Sequence, residues 1–456
     1  MMRISNSRML VYGWAFTLAG TLSADTKTDE PFDSPTNTLQ EIVTESPTNK
    51  EALNVVPSAD KTTTSKPEDT DKIRSQSRDT PGDSLNDRAA DLTADLTTEN
   101  QPSGDIEDTA STAPLSSAQL AFSEQELERR DLIRKCLSYY FQQKENTSTR
   151  SPWGLMHALI AFGVDTEFIS RGKEVNAAGY LCWNGSGRGQ RLFSIRKGQI
   201  HTPIGPGFQG HEGQFLAILA QSRVQKDYPL RISGKRLTVQ DLIEHEQRTC
   251  RPKSELTFKL IGLSHYLPIN ATWECNNGSQ WDLERIIKEE LAQPVVGAAC
   301  GGTHRMMGFT YAVQKRIRKG GEITGQWERA EKFVSEFVDY TLELQNSDGS
   351  FSTKWFEGRG NENSKARKLQ TTGHLVEWLV ATLPPERLRE QDIAQAVDFL
   401  AKLMWKDRRM KWEVGPKGHA VRALALYDER VFGSKPGSRD EMLAGIKGKN
   451  SNRLRR

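Results

Sequence analysis

A repeated pair of helical patterns is the feature that most constrains this chain, because it recurs along the sequence after residue 120. One member of each pair has apolar residues at three- and four-residue spacing, as at Phe333, Phe337 and Leu344, and predicts an amphipathic helix. The other member is apolar on nearly all sides, as at residues 375–380, and must be buried on several faces. The pattern therefore predicts an inner layer of apolar helices covered by an outer layer of amphipathic ones.

Six apolar helices and five amphipathic partners are expected. The apolar helices are predicted at residues 152–162, 211–224, 255–266, 303–313, 373–383 and 418–427. The amphipathic helices are predicted at residues 124–143, 239–249, 281–292, 327–345 and 392–405. The second pair lacks a clear amphipathic helix, and residues 191–202 predict a short β-hairpin there instead, around Lys197 and Gly198.

Six helical hairpins that close in a circle would give an all-α fold, a six-hairpin α/α toroid over residues 117–433. The open alternative is a superhelical solenoid. Closure is favoured because a solenoid needs polar capping repeats and none is apparent at either end of this region.

The sequence before the helical region predicts export. Arg3 and Arg8, an apolar run at residues 9–20 and a small residue at Ala24 predict a signal peptide over residues 1–24, with an uncleaved anchor as the alternative. No other membrane span is expected in a chain whose mean hydropathy is −0.62. The expected location is periplasmic, secreted or cell-surface.

Charge divides the remaining chain into an acidic and a basic part. Residues 25–116 hold 20 acidic and 8 basic residues, are rich in Thr, Ser and Pro, and predict a disordered spacer. Because the whole chain has a net charge of +3, the residues after this spacer carry about +13. Residues 434–456 predict a basic, flexible tail rather than a nucleic-acid-binding arm.

Residues 345–351 read Gln-Asn-Ser-Asp-Gly-Ser-Phe. They resemble the Q-x-x-D-G-S-W/F motif of the terpenoid cyclase and protein prenyltransferase superfamily. The resemblance implies an α/α toroid in which this motif closes an outer helix. Local chemistry agrees, because Asp348 and Gly349 favour a turn, Gln345 can satisfy backbone groups at helix ends, and Phe351 can pack between units.

The catalytic motifs of that superfamily are not matched. The D-x-D-D acid motif of the class II triterpene cyclases does not occur in residues 117–456, and the prenyltransferase pattern of Asp just before a zinc-binding Cys is not met at Cys300. The resemblance therefore implies a shape, and terpene cyclase or prenyltransferase activity is not expected.

Four of the eight histidines lie one or two residues after a glycine at the predicted start of an apolar helix. These are His211, His304, His374 and His419. In a toroid, the starts of the inner helices meet at one mouth, so these imidazoles are expected to converge there. The positive helix end would keep them neutral and suited to act as bases or ligands. The alternative is a structural role, in which each histidine caps the same turn of its repeat.

Cys300 and His304 are the candidates for a metal site. They lie four residues apart and could bind zinc with a further histidine, although the pattern does not require any cofactor. A reactive thiol at a helix N-terminus is the alternative role of Cys300. Glu212 and Glu377 are carboxylates expected near the same mouth, where they could do acid–base catalysis.

Substrate-binding residues are expected around a Gly- and Arg-rich segment at residues 185–191. Arg188 and Arg191 could contact an anion there, Trp183 could stack on a sugar, and Glu413 could pair with Glu212 on a glycosidic bond. The alternative is that the segment is a solvated turn.

Two functional classes follow. The absence of a recognised catalytic motif favours a binding or scaffold domain with a histidine-lined cavity. The alternative is a lyase or hydrolase acting on an anionic or sugar-containing polymer, which the basic domain favours. Five cysteines in an exported chain permit disulfides, and we expect a Cys250–Cys275 bridge, with at least one cysteine left as a free thiol or in an intermolecular bond.

Overall fold

The computed structural model describes residues 122–436. The predicted signal peptide, the acidic spacer and nearly all of the basic tail lie outside these residues. Within them the chain is helix-rich, with twelve α-helices and five small groups of strands. The helices are α1 Glu124–Phe141, α2 Pro152–Phe162, α3 Ala177–Cys182, α4 Gln214–Gln221, α5 Val239–Arg248, α6 Thr257–Tyr266, α7 Leu283–Leu291, α8 Thr303–Arg318, α9 Gly325–Glu343, α10 Lys365–Thr382, α11 Gln391–Lys406 and α12 Val414–Phe432.

Burial separates the helices into two alternating kinds, as the hydrophobic patterns predict. All eight residues of α4 are buried, and in α2 only Trp153 is partly exposed. In contrast, α9 buries one stripe at three- and four-residue spacing, from Trp327 to Thr341. We call the even-numbered helices the inner helices and the odd-numbered helices the outer helices.

The inner helices contact one another in cyclic order. Each of α2, α4, α6, α8 and α10 packs against the next inner helix, and α12 packs against both α10 and α2. The first outer helix, α1, packs against α11 and α12, where Arg129 pairs with Asp398 and Arg134 pairs with Asp428. The first and last helical pairs are thus in direct contact.

Small strands interrupt the helical pattern, so the expectation of an all-α fold is too simple. The strands are β1 Glu145–Asn146, β2 Glu167–Ser170, β3 Lys173–Asn176, β4 Ser186–Gly187, β5 Gln190–Arg191, β6 Ser194–Arg196, β7 Gln199–His201, β8 Pro229–Ile232, β9 Lys235–Thr238, β10 Thr272–Glu274 and β11 Gln280–Asp282. The hairpin predicted at residues 191–202 is confirmed as β6–β7, with a turn in which Lys197 and Gly198 both have positive φ.

Three unpredicted hairpins each lead into an outer helix. The pairs β2–β3, β8–β9 and β10–β11 end at Asn176, Thr238 and Asp282, and these residues are the N-caps of α3, α5 and α7. Short polar side chains stabilise helix N-termini by accepting hydrogen bonds from free backbone N–H groups. The second pair therefore does have an outer helix, the short α3, which the sequence pattern did not predict.

The 345–351 segment behaves as its local chemistry predicts. Gly349 has a φ of 86°, and the Asp348 carboxylate accepts hydrogen bonds from the backbone and hydroxyl of Ser350. The Gln345 side chain donates to the carbonyls of Gly349 and Asp392, which ties the end of α9 to the start of α11.

The cysteines do not form the predicted bridge. All five are free thiols, and those of Cys250 and Cys275 donate to the backbone carbonyls of Glu246 and Gln247 instead. Cys136 is fully buried in the apolar core.

Candidate functional site

Five histidine rings gather among the inner helices. We define the histidine cluster as His157, His211, His304, His374 and His419. The ring centroids of His374 and His419 lie 4.0 Å apart, and those of His304 lie 5.5 Å from His374 and 5.1 Å from His419. His157 lies beside His419, with ring centroids 5.7 Å apart. The convergence predicted from the sequence is therefore present for His304, His374 and His419, with His157 as an additional member, whereas the ring of His211 contacts Phe258 rather than another histidine.

Two of these histidines occupy different positions in their helices from the predicted ones. His304 does open α8, and His211 lies just before α4, but His374 and His419 lie within their helices because α10 and α12 begin several residues earlier than predicted. The preceding glycines do not start these helices. A Cβ on Gly373 would lie 3.0 Å from the Ala420 side chain, so this glycine allows close approach of α10 and α12.

In four of the rings, Nδ1 makes the hydrogen bond that orients the ring. Nδ1 of His157 donates to the Trp153 carbonyl, and Nδ1 of His374 donates to the Gln370 carbonyl, each one helical turn earlier. Nδ1 of His211 and His419 instead meets a carboxylate. Because an acceptor at Nδ1 fixes the proton there, Nε2 of each neutral ring is left with a lone pair.

A strained loop brings Cys300 to the cluster. Cys300, Gly301 and Gly302, which directly precede α8, have φ values of 48°, 63° and 88°. A side chain on Gly301 would overlap the indole of Trp355, and the ring of Trp355 in turn lies 5.5 Å from that of His374. Glycine adopts left-handed backbone at little cost, but a residue such as Cys300 does so only where its surroundings enforce it, and such strain is concentrated at functional sites.

Three donor atoms in the described part of the chain form a group with metal-ligand spacing. The ligand atoms of Cys300, His304 and His374 all lie within 4.8 Å of one another. A thiolate and two imidazoles suit zinc, which binds sulfur and nitrogen in tetrahedral sites, better than magnesium or calcium, which prefer oxygen. The donor set therefore fits the zinc site predicted from Cys300, His304 and a further histidine.

Burial keeps four of the clustered imidazoles, His157, His304, His374 and His419, uncharged. It lowers the pKa of His157 and of His419 to about 3, and it holds the pKa values of His304 and His374 well below their ordinary range. Neighbouring imidazoles add to the effect, because two charged rings would repel each other. Burial also raises the pKa of the Cys300 thiol to about 12. The helix N-terminus is not the main cause of neutrality, in contrast to the sequence-based argument.

The buried carboxylate of Glu377 is hydrogen-bonded to His419. Glu377 Oε2 accepts a hydrogen bond of 2.6 Å from His419 Nδ1, while its Oε1 lies 2.9 Å from Nε of Arg422. All three side chains are at most 8% exposed. Burial raises the pKa of Glu377, and Arg422 opposes that change. The sequence placed Glu377 near the site but gave no indication of its contact with Arg422.

A second carboxylate–imidazole pair lies at the solvent edge of the cluster. His211 Nδ1 donates to Glu255 Oε2 over 2.6 Å, and the two side chains are 28% and 34% exposed. The ring of Phe258 stacks on His211 and also approaches His304, with centroid distances of 4.9 and 5.0 Å. The Phe258 ring therefore lies between His211 and His304, a candidate metal ligand, and His211 is accessible to solvent.

The other predicted site residues have different surroundings. Glu212 pairs with Arg251 and lies 3.8 Å from the Lys259 ammonium, so its carboxylate is held by cations rather than by histidines. Glu413 is exposed at the N-cap of α12. The Arg231 guanidinium covers the ring of Trp183. No recorded contact among the described residues supports the predicted Glu212–Glu413 pair.

The Gly- and Arg-rich segment forms the hairpin β4–β5. Arg188 lies in its turn, is exposed, and donates its backbone N–H to Thr147. Arg191 is exposed, with its guanidinium bonded to the Asn184 carbonyl. Gly187 lies against the backbone at the start of α2, so the hairpin adjoins the end of the inner helix that carries Trp153 and His157.

Sequence reasoning missed two members of the site. His157 occupies the sixth position of α2, as His419 does in α12, but the sequence-based start of the latter helix at residue 418 concealed this equivalence. Glu255 lies two residues before α6, and His211 lies three residues before α4. The glycine-histidine pattern selects neither residue.

Comparison with known proteins gives no relative. No family model, no curated protein and no solved structure matches this chain. The resemblance of residues 345–351 to the terpenoid cyclase superfamily therefore stays a prediction. Among residues 122–436 there is no helix with both the length and the apolar character needed to cross a membrane.

Proposed function

We propose that residues 122–436 form a six-hairpin α/α toroid. The cyclic contacts of the inner helices support this architecture, above all the contact between α12 and α2 that joins the last pair to the first. Each outer helix covers the inner layer from one side, as an amphipathic stripe requires. In such a toroid the histidine cluster lies in the centre, because its members belong to inner helices or directly precede them.

We propose that this centre binds zinc through Cys300, His304 and His374. The observation that carries the proposal is the approach of their three donor atoms to within 4.8 Å. The hydrogen bond from His374 Nδ1 to the Gln370 carbonyl fixes the ring, as second contacts of metal-binding histidines commonly do. Zinc bound there would act as a Lewis acid on a water molecule or a substrate oxygen.

The ligand number favours an enzyme over a scaffold. Structural zinc sites use four protein ligands, whereas catalytic sites use three and keep one position open. The His211–Glu255 pair is suited to proton transfer at the edge of the site, because it combines an oriented imidazole with access to solvent. We therefore propose a zinc-dependent hydrolase or lyase, and an anionic or sugar-containing polymer remains the proposed substrate, with Arg188 and Arg191 beside the start of α2.

Metal analysis of the purified full chain tests this proposal. After reconstitution with zinc and removal of excess metal, we expect about one equivalent per chain by atomic emission. Cys300→Ser and His374→Gln should each reduce zinc affinity by at least about ten-fold, because each removes one of three ligands.

Matched controls separate a specific site from general thiol or imidazole binding. Cys275→Ser and His265→Gln change the same residue types outside the histidine cluster, and we expect them to retain the zinc of the wild type. A wild-type chain that binds no zinc, or controls that lose as much as the ligand variants, would overturn the proposed metal centre.

A further inference from the structure

His419 adjoins the proposed zinc site without belonging to its ligand group. Its ring lies 4.0 Å from that of His374 and 5.1 Å from that of His304, yet the group of converging donor atoms consists of Cys300, His304 and His374. The planes of His374 and His419 differ by only 32°. Two imidazoles this close together and only 32° from parallel cannot both direct Nε2 at one tetrahedral ion, whose ligands diverge. His419 is therefore a neighbour of the metal position rather than a ligand.

The hydrogen bonds of His419 determine whether its remaining ring nitrogen is a donor or an acceptor towards the metal position. Its Nδ1–H is donated to Glu377, so the remaining ring nitrogen, Nε2, is an acceptor. Arg422 lies against the other oxygen of Glu377, which balances the carboxylate charge in the buried interior. Moving the ring proton from Nδ1 to Nε2 would leave the carboxylate without its imidazole donor, so the acceptor character of Nε2 is fixed.

We infer that His419 accepts a hydrogen bond from the ligand in the open zinc position and makes that position select O–H, N–H or S–H donors over anions. This inference rests on the proposed zinc site and names the class of ligand that the site takes. A water, alcohol, amine or thiol satisfies the lone pair of Nε2. A small anion brings only acceptor lone pairs, so it would leave Nε2 unpaired in a buried site.

Azide binding to the cobalt-substituted full chain tests the selection directly. Cobalt(II) takes the place of zinc and reports its ligands through visible absorption, so azide affinity can be measured without a substrate. The informative variant is His419→Asn, because the asparagine amide can replace Nδ1 as the donor to Glu377 while removing the acceptor at Nε2. We expect azide affinity to rise by about ten-fold, the equivalent of one hydrogen bond, with cobalt stoichiometry unchanged.

The control is the same substitution in the adjacent histidine. His157→Asn keeps a donor for the Trp153 carbonyl and opens a similar space, but the His157 ring contacts Trp153 and His419 rather than a proposed ligand. Azide affinity in this variant should stay within about two-fold of the wild type, well below the effect of one hydrogen bond. Equal effects of the two substitutions would overturn the role of His419, since they would report only the added space.

The remaining outcomes separate this inference from the proposed function. Unchanged azide affinity in His419→Asn, with cobalt bound, would overturn the inference and leave the metal centre intact. Loss of cobalt in that variant would also overturn it, because His419 would then be a ligand. Absence of cobalt binding by the wild type would overturn the metal centre itself and the inference with it.

Discussion

The backbone at Gly301 couples the position of Cys300 to the side chain of Trp355. Gly301 has a φ of 63°, and a Cβ there would overlap the indole ring. We expect Gly301→Ala to lower the free energy of unfolding by about 2–4 kcal/mol, through backbone strain and overpacking together. We also expect zinc affinity to fall by at least about ten-fold, because the displaced loop moves the Cys300 thiol away from the imidazoles. Urea unfolding and zinc titration measure the two effects.

Gly320 provides the control for this substitution. It has a similar φ of 68° after the end of α8, with no atom within 4 Å of an added Cβ. Gly320→Ala should therefore show only the backbone cost of about 1 kcal/mol, and zinc affinity should be unaffected. If Gly301→Ala matched Gly320→Ala in both measurements, the packing of Trp355 would not be what holds the loop.

At the scale of the helix, close contact between α2 and α12 brings His157 beside His419. A Cβ on Gly418 would overlap the backbone carbonyl of His157, which cannot move aside as a flexible side chain could. Alanine favours helices over glycine by about 1 kcal/mol, so simple propensity predicts that Gly418→Ala stabilises the chain. We expect the opposite, a loss of about 2 kcal/mol in the free energy of unfolding, because overpacking outweighs propensity.

Gly154→Ala is the comparison within the same helix pair. A Cβ there would lie 3.4 Å from Val414 Cγ1, an ordinary contact distance. This substitution in α2 should raise the free energy of unfolding by up to about 1 kcal/mol, because helix propensity acts there without overpacking. Stabilisation by both substitutions in urea unfolding would show that α2 and α12 can separate freely.

The helices were predicted well because their signals are long, and the hairpins poorly because theirs are short. The apolar run at residues 152–162 coincides with α2, whose bounds a proline and a glycine define. The strands of the three missed hairpins have three or four residues each, too few for alternation to be distinguished from chance. At Gly373 and Gly418 the same residue type that ends helices serves close packing instead, which only the tertiary structure reveals.

The sequence patterns identified most residues of the candidate site but not their arrangement in space. The repeated glycine-histidine pattern selected four of the five clustered histidines, and the Cys300–His304 spacing selected two of the three proposed ligands. The pattern could not show that His211 lies apart from the others, behind Phe258, because that separation depends on the packing of α6. The surroundings of the carboxylates were harder still to predict, since Arg251 and Lys259, the cations that pair with Glu212, come from other segments of the chain.

At the scale of the whole molecule, a core built around imidazoles makes stability depend on pH. The pKa values of His157 and His419 are lowered to about 3 in the folded state, because burial disfavours the charged ring. In the unfolded chain each is near its ordinary value of about 6.5. Between these values the unfolded state binds more protons than the folded state. Stability is therefore complete above pH 6.5 and is lost progressively as the pH falls towards 3.

Urea unfolding at pH 7 and pH 5, with chelator present throughout, measures this effect without a contribution from metal release. Each of the two histidines should lower the free energy of unfolding at pH 5 by about 2 kcal/mol. Glu377 acts in the opposite sense, because its pKa is raised in the folded state. The difference between the wild type and His157→Asn isolates one imidazole from that compensation, and we expect the variant to lose about 2 kcal/mol less between the two pH values. An identical loss in both proteins would mean that water hydrates the charged His157 ring in the folded state, which would contradict the burial that lowers its pKa.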